Sequence, residues 1–284
     1  MAIFSVLSLV PMVLNAAPAE TLAADAAQAV DAVAKASVIA EPTGFGIFLD
    51  KIEYFILIPW VYLSIAFMIF GIIYRLVSIY RAPKQPFSLK IYSSKKESPL
   101  SAWNDTFLMP QVRRRKPFFW FSLMLFHVSG VLLILGHLDI LPTISILPEA
   151  SKHMIGAGLV GVGFTLPLFH FLFRRFKTPI REITVPADFL LLILVLFLAL
   201  FGDMISWGNS WTANGFITTK QKFAEYFQAL ATFNFENPRY YIWSPHYHFL
   251  VIHVALANLF FMLVPFSKIV HAFFAMPINL LRRK

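Results

Sequence analysis

The chain has 284 residues, of which 58% are hydrophobic and 14% charged, and it contains 31 Phe and no Cys. This composition excludes an ordinary soluble enzyme, and the lack of Cys excludes a disulfide, a cysteine-bound iron–sulfur cluster and a thioether-linked haem within the chain. The formal net charge is +9, but the basic residues follow membrane topology, so they give no support to nucleic-acid binding.

The N-terminal 45 residues are interpreted as an uncleaved extension on the external side of a membrane. Residues 2–14 are apolar and Ala17-Pro18-Ala19 resembles a cleavage site, but no Lys or Arg precedes Lys35, so the basic start of a signal peptide is missing. Residues 16–40 are rich in Ala with scattered charges, which favours an exposed helix over a further span. The predicted domains are the extension, 1–45, and a membrane domain, 46–284.

Five stretches have the length and apolarity of a membrane-spanning helix, which needs about 20 mostly apolar residues to cross about 30 Å of hydrocarbon. They are residues 52–74, 118–138, 154–173, 187–207 and 249–266. The predicted fold class is therefore an all-α integral membrane protein built as a five-helix bundle.

The Lys and Arg residues between the spans predict the orientation of the bundle. One side, made of residues 75–117, 174–186 and the tail from 267, carries 18 of the 24 basic residues, and the other side carries six. The positive-inside rule then predicts an external N-terminus and a cytoplasmic C-terminus. The basic run 113–116 directly precedes the second span, and it is either a topology signal or a docking surface for a cytoplasmic subunit or anionic lipid.

Histidines inside the spans are the strongest functional candidates, because ionisable residues are costly in a bilayer. His127 and His137 lie at mid-depth and at the outer end of the second span, while His253 and His271 lie at the outer end of the fifth span and beyond its inner end. A low-spin b haem needs one axial imidazole on each face. The depths therefore pair His137 with His253 at an outer haem, and His127 with His271 at an inner haem.

The spacing of these histidines requires a bend in one helix. Ten residues of helix rise about 15 Å and eighteen rise about 27 Å, so four ligands on straight helices cannot form a flat rectangle. Pro265 lies between His253 and His271, where it is expected to bend the helix. Hydrogen bonding between helices is the alternative role for each histidine.

Other histidines and a glycine pattern are weaker candidates. His170 is the main alternative to His271, and three histidines at the outer interface are candidates for hydrogen bonding, quinone contact or ligation: His153, His246 and His248. Residues 156–161 spell a dinucleotide-binding pattern, but they lie in an apolar span with no preceding strand. We expect their glycines to allow close approach of a helix or a porphyrin.

Several motifs together resemble one family. Phe126-His127 precedes Gly136-His137 by ten residues, and His253 precedes the closing segment Pro265-Phe266-Ser267-Lys268-Ile269-Val270-His271. The further matches are Leu147-Pro148 with Lys152, Thr178-Pro179 with Arg181, Ala187-Asp188, Pro277, and Leu281-Arg282-Arg283-Lys284. From about residue 46 the chain resembles the gamma subunit of respiratory nitrate reductase and its relatives, the di-haem cytochrome b subunits of heterodisulfide-reductase-like and sulfite-reduction-associated complexes.

The resemblance implies two haem b groups, with His137 and His253 as ligands of the outer haem and His127 and His271 as ligands of the inner one. It also implies a quinone site with Gly136, His137 and Lys152, where Lys152 is a suitable donor to a quinone carbonyl. The implied function is a quinol-oxidising or quinone-reducing subunit of a respiratory oxidoreductase in a bacterial or archaeal cytoplasmic membrane. Menaquinone or another quinone is the expected substrate, and no further catalytic residue is implied.

The expected partner is a cytoplasmic iron–sulfur subunit, and an external cytochrome c joined through the extension is a second candidate. The loop from 208 to 248 aligns only loosely with the family. Two other functions stay open: a haem-free membrane scaffold or transporter whose histidines form hydrogen bonds, and the cytochrome b of a hydrogenase or formate dehydrogenase. The ten-residue and eighteen-residue histidine spacings favour the nitrate reductase type.

Overall fold

The structure, a computed structural model, describes residues 44–81, 99–141, 158–211, 220–244 and 246–281. The predictions made for residues 2–40 lie outside this part of the chain. The chain divides into two units, Met1–Phe48 and Leu49–Lys284, and only residues 44–48 of the first unit are described.

All regular elements in the described ranges are helical, which confirms the predicted all-α class. The first six helices are α1 (Phe45–Leu57), α2 (Pro59–Arg81), α3 (Pro99–Phe107), α4 (Pro110–Arg115), α5 (Pro117–Leu138) and α6 (Leu159–Arg175). The remaining five are α7 (Pro186–Trp211), α8 (Lys220–Ala231), α9 (Arg239–Ile242), α10 (Tyr247–Leu263) and α11 (His271–Leu281). Short 3₁₀ turns span Arg181–Ile183, Val264–Phe266 and Lys268–Val270.

Within the described residues, four helical segments are long and apolar enough to cross a membrane, and they cover four of the five predicted stretches. These segments are Phe45–Arg81, Pro117–Leu138, Pro186–Gly208 and Tyr247–Phe266. The remaining predicted stretch, 154–173, corresponds to α6, which has 17 residues. Residues 154–157 of this stretch lie outside the described ranges. The structure therefore supports a multi-pass membrane protein.

The long helices pack side by side in the order α5, α6, α7, α10 and α2. Among the residues that the structure describes, two apolar clusters lie between these helices. One cluster is formed mainly by the start of α10 with the α1–α2 boundary and α8, and the other lies between α6 and α7. Helix α11 packs against α3, and α4 packs against the start of α5.

The helix is interrupted at Ile58, between α1 and α2, where the following Pro59 cannot donate a backbone hydrogen bond. Two polar side chains bind carbonyl groups beside this break: Asn258 Nδ2 donates to the oxygen of Ile56 at 2.9 Å, and Tyr226 Oη donates to that of Leu57 at 2.5 Å. Unpaired backbone groups are expensive in a membrane, so these bonds stabilise the interruption.

The glycine pattern around residue 158 serves helix packing. A Cβ added at Gly158 would lie 1.9 Å from Trp207 Nε1, and one added at Gly161 would lie 1.7 Å from Asp203 Oδ1. Gly158 also has a φ of 78°, a value that favours glycine. These two glycines therefore admit side chains of α7 close to the α6 backbone, as expected for close approach of a helix.

Candidate functional site

The four histidines at the two predicted depths lie on α5, α10 and α11. His127 and His137 are on α5, His253 is on α10, and His271 is the first residue of α11. Helix α10 ends at Leu263, and two 3₁₀ turns follow before α11 begins. The interruption falls at Pro265, where the sequence predicted a bend.

The structure brings these histidines together as two pairs. The ring centroids of His137 and His253 are 6.3 Å apart and the rings are nearly parallel, with an angle of 15°. Those of His127 and His271 are 6.2 Å apart and the rings are nearly perpendicular, at 79°. In the part of the chain that the structure describes, no three His, Cys, Asp or Glu side chains converge on a metal-binding point.

The distance within each pair fits two axial ligands of one iron. Metal–imidazole bonds are about 2.0 Å long and the ring nitrogen lies about 1.1 Å from the ring centre, so two imidazoles on opposite sides of one iron have centres about 6.2 Å apart. Both observed separations match this value. Because a porphyrin supplies the four equatorial nitrogens, two histidines are all that the protein must contribute.

Hydrogen bonding leaves one nitrogen of each ring available for a metal. Each Nδ1 lies beside a backbone oxygen: His127 beside that of Leu123 at 2.7 Å, His137 beside Leu133 at 2.7 Å, His253 beside Leu198 at 3.1 Å and His271 beside Lys268 at 2.7 Å. A carbonyl only accepts, so the proton is on Nδ1 and the lone pair on Nε2. Metal-bound histidines usually make such a bond to a carbonyl or carboxylate.

The histidines of the two pairs are mostly exposed, and one of them is closely approached by the backbone of α7. The side chains of His127, His137 and His271 are exposed, and that of His253 is half-buried. A Cβ added at Gly202 of α7 would lie 3.1 Å from His253 Cε1, so this glycine lets α7 approach the His137–His253 pair. Gly202 could not be predicted as part of the site, because nothing in the sequence indicates that it faces a histidine 51 residues away.

The alternative histidines have different environments. Nδ1 of His170 lies 2.9 Å from Ser122 Oγ, and its ring is surrounded by those of Phe118, Phe119 and Phe171. His170 is therefore a packed, hydrogen-bonded side chain in this fold, and His271 is the residue that faces His127. His246 precedes the first residue of α10, and His153 lies outside the described residues.

His248 belongs to a polar cluster that joins α1, α9 and α10. Its Nδ1 lies 2.8 Å from Glu53 Oε1, while Arg239 Nη2 donates to Glu53 Oε2 at 2.6 Å and its Nε lies 3.1 Å from Asp50 Oδ1. Burial lowers the pKa of Arg239, but the hydrogen bond and charge of Glu53, with the charge of Asp50, raise it above its usual value overall. The cluster therefore holds a fully charged guanidinium and stabilises the junction of these helices.

Of the residues expected to contact quinone, Gly136 is half-buried beside His137 on α5, and Lys152 lies outside the described residues. Two of the family motifs also contact one another, because Lys268 of the closing segment binds Asp188 of α7. The sequence placed both residues in family motifs without indicating that they meet.

Apolar helices that carry two facing pairs of histidines are typical of a membrane cytochrome b. The nitrate reductase gamma subunit family matches residues 109–284, and the chain belongs to this family. Its members are membrane electron-transfer subunits of redox enzyme complexes. The match includes all four paired histidines and begins after α2, whereas the resemblance was expected from residue 46. Comparison with curated proteins gave no match.

Proposed function

We propose that the chain is a di-haem cytochrome b subunit that exchanges electrons between the quinone pool at the outer face and a cytoplasmic iron–sulfur subunit. The observation that carries this proposal is the pair of histidine sites, with ring separations of 6.3 and 6.2 Å. Two b haems bound there supply one-electron transfer through the thickness of the membrane.

The chain contributes ligation, orientation and an apolar environment. The bonds from Nδ1 to backbone carbonyls fix the tautomer and the ring plane of each histidine, so Nε2 is presented for ligation. An exposed imidazole within an apolar span is costly, and ligation to a cofactor that covers it removes that cost. The same apolar surroundings tune the reduction potential of a bound haem.

The proposed topology has five spans, with α6 as the third. Its 17 residues rise about 26 Å, close to the hydrocarbon thickness, and it ends in Arg174 and Arg175. Under the positive-inside rule this end is cytoplasmic. His137 and His253 then form the outer site, and His127 and His271 form the inner site.

The quinone site is proposed beside the outer histidine pair, with Gly136, His137 and Lys152 as its residues. A lysine ammonium is a strong hydrogen-bond donor to a quinone oxygen, and charge-assisted bonds of this kind are among the strongest in proteins. Quinol oxidation and quinone reduction use the same contact, and menaquinone is the proposed substrate.

A quinol-driven reduction assay tests this function. A menaquinol analogue added anaerobically to the oxidised, purified chain is expected to reduce the haems, followed by their absorbance. Lys152→Ala should slow this reduction about tenfold, because a hydrogen bond to a charged group contributes about 1.5–3 kcal/mol. The control, Lys177→Ala, removes a basic residue on the opposite side and should leave the rate unchanged. A haem-containing chain that quinol cannot reduce would contradict the proposal.

The cytoplasmic partner is proposed to dock at α4. Arg113, Arg114 and Arg115 end this helix and are exposed, as is the adjacent Lys116. Replacing the three arginines with Ala should release the iron–sulfur subunit, detected by co-purification, because electrostatic complementarity is lost. The haem spectrum should be unchanged, since the three arginines lie on α4 whereas the four paired histidines lie on α5, α10 and α11. Loss of haem in this variant would indicate a structural role for the arginines.

A further inference from the structure

The position of His271 depends on the segment 264–270, which we call the inner junction. Since α10 ends at Leu263, no continuous helix connects His253 to His271. The Nδ1 of His271 donates to the backbone oxygen of Lys268 at 2.7 Å, and this oxygen belongs to the second 3₁₀ turn of the junction. Whatever holds Lys268 in place therefore also holds the hydrogen-bond acceptor of His271.

Asp188, near the start of α7, holds Lys268. Lys268 Nζ donates to Asp188 Oδ2 at 2.7 Å, and Arg175 Nη1 at the end of α6 donates to the same oxygen at 3.3 Å. The Asp188 side chain is 6% exposed, whereas that of Lys268 is 72% exposed. This buried carboxylate, bound by two cations, joins α6 and α7 to the inner junction.

We propose that Asp188 is a positioning residue for the inner haem ligand. Through its ion pair with Lys268, it fixes the carbonyl that determines the tautomer and plane of the His271 ring. Among the described residues, the ion pair leads to the carbonyl that holds His271, whereas the carbonyl that holds His253 belongs to Leu198, further along α7, so we expect the effect at the inner pair. This inference rests on the proposed function, because it concerns the haem that His127 and His271 would hold.

The test compares four single variants of the full purified chain and one double variant, Asp188→Asn combined with Lys268→Met. Asp188→Asn and Lys268→Met each break the ion pair, and Lys268→Arg preserves it. The control, Glu182→Gln, removes an exposed carboxylate six residues from Asp188 on the same side. Because Lys268 is mostly exposed, Lys268→Met leaves the buried packing intact even if Asp188→Asn folds poorly.

The readouts are haem retention per chain, the low-spin EPR signal of each haem and the midpoint potential of each haem. We expect Asp188→Asn and Lys268→Met to weaken haem binding at the inner pair about tenfold, the lower end of the range for lost outer-shell partners. The inner EPR signal and potential should shift, while the outer ones stay unchanged. Lys268→Arg and Glu182→Gln should resemble wild type, and the double variant should be no worse than the worse single variant.

Three results would overturn the inference. They are an unchanged inner haem in both Asp188→Asn and Lys268→Met, an equal loss of both haems, and a Lys268→Arg variant that behaves like Lys268→Met. A wild-type chain without haem would instead contradict the proposed function. The two failures are therefore distinguishable in the same set of samples.

Discussion

Replacing His253 with Ala is expected to remove the outer haem and leave the inner one, so the haem content falls from about two to about one per chain. His137→Ala should remove the same haem, since the two rings face each other at 6.3 Å. His127→Ala and His271→Ala should each remove the inner haem instead. A single remaining imidazole gives only half of a bis-histidine site, so loss of either ligand weakens the whole site.

The EPR spectrum identifies which haem each variant loses. Nearly parallel axial rings split two of the iron d orbitals and give a rhombic low-spin signal, whereas perpendicular rings leave them nearly degenerate and give a signal with one large g value. The 15° and 79° ring angles therefore predict two different signals for the outer and inner haems. His127→Ala and His271→Ala should both remove the signal with one large g value. His137→Ala and His253→Ala should both remove the rhombic signal.

His170→Ala is the matched control for these variants. His170 is a histidine of the bundle, but its Nδ1 is bound to Ser122 and its ring packs among phenylalanines. Both haems should therefore be retained when it is replaced. A His170→Ala chain that loses the inner haem while His271→Ala keeps it would contradict the assignment of the inner pair.

Replacing Gly71 with Ala is expected to destabilise the inner junction by about 1–3 kcal/mol, the usual cost of inserting a methyl group into a packed interior. A Cβ at Gly71 would lie 2.6 Å from both Cβ and Cγ of Pro265. Pro265 is fully buried and its ring is rigid, so it has little room to move. Arg75 Nε also donates to the oxygen of Pro265 at 3.1 Å, and the added methyl group would strain this contact.

The measurement for Gly71→Ala is thermal unfolding in detergent, together with the EPR signals of the two haems. The inner signal should weaken, because the junction carries the carbonyl that holds His271, and the outer signal should persist. Gly130→Ala is the control, since its Cβ would meet only the ring edge of Phe164, at 3.1 Å. Equal effects of the two substitutions on the inner haem would show that Gly71 has no particular role at the junction.

The pairing of the histidines in space could be predicted from the sequence, because depth in a membrane is readable from position within an apolar stretch. His127 and His137 lie at two depths on one span, and antiparallel helices leave few ways to match them. The bend at Pro265 was equally predictable, since proline removes a backbone donor. The fit of each pair to one iron needed the ring distances that only the structure provides.

The contacts that hold the inner junction in place could not be predicted, because they join residues that are far apart in the sequence. Asp188 and Lys268 are 80 residues apart, and Gly71 and Pro265 are separated by almost the whole membrane domain. Taken alone in the sequence, each of these four residues has a common structural explanation: Asp188, for example, is a carboxylate at the start of a helix, and Lys268 is a lysine at the membrane interface. Only the packing of α2 and α7 against the inner junction shows that Gly71 meets Pro265 and that Asp188 meets Lys268.

The haem content of the purified wild-type chain decides most directly between a di-haem cytochrome and a haem-free membrane protein. A pyridine haemochrome spectrum, counted per chain and paired with a reduced-minus-oxidised spectrum, should give two haems of the b type. Two haems per chain would support a di-haem cytochrome, with one haem for each histidine pair. A colourless chain, purified under conditions that retain bound haem, would contradict the proposed function and favour a scaffold or transporter.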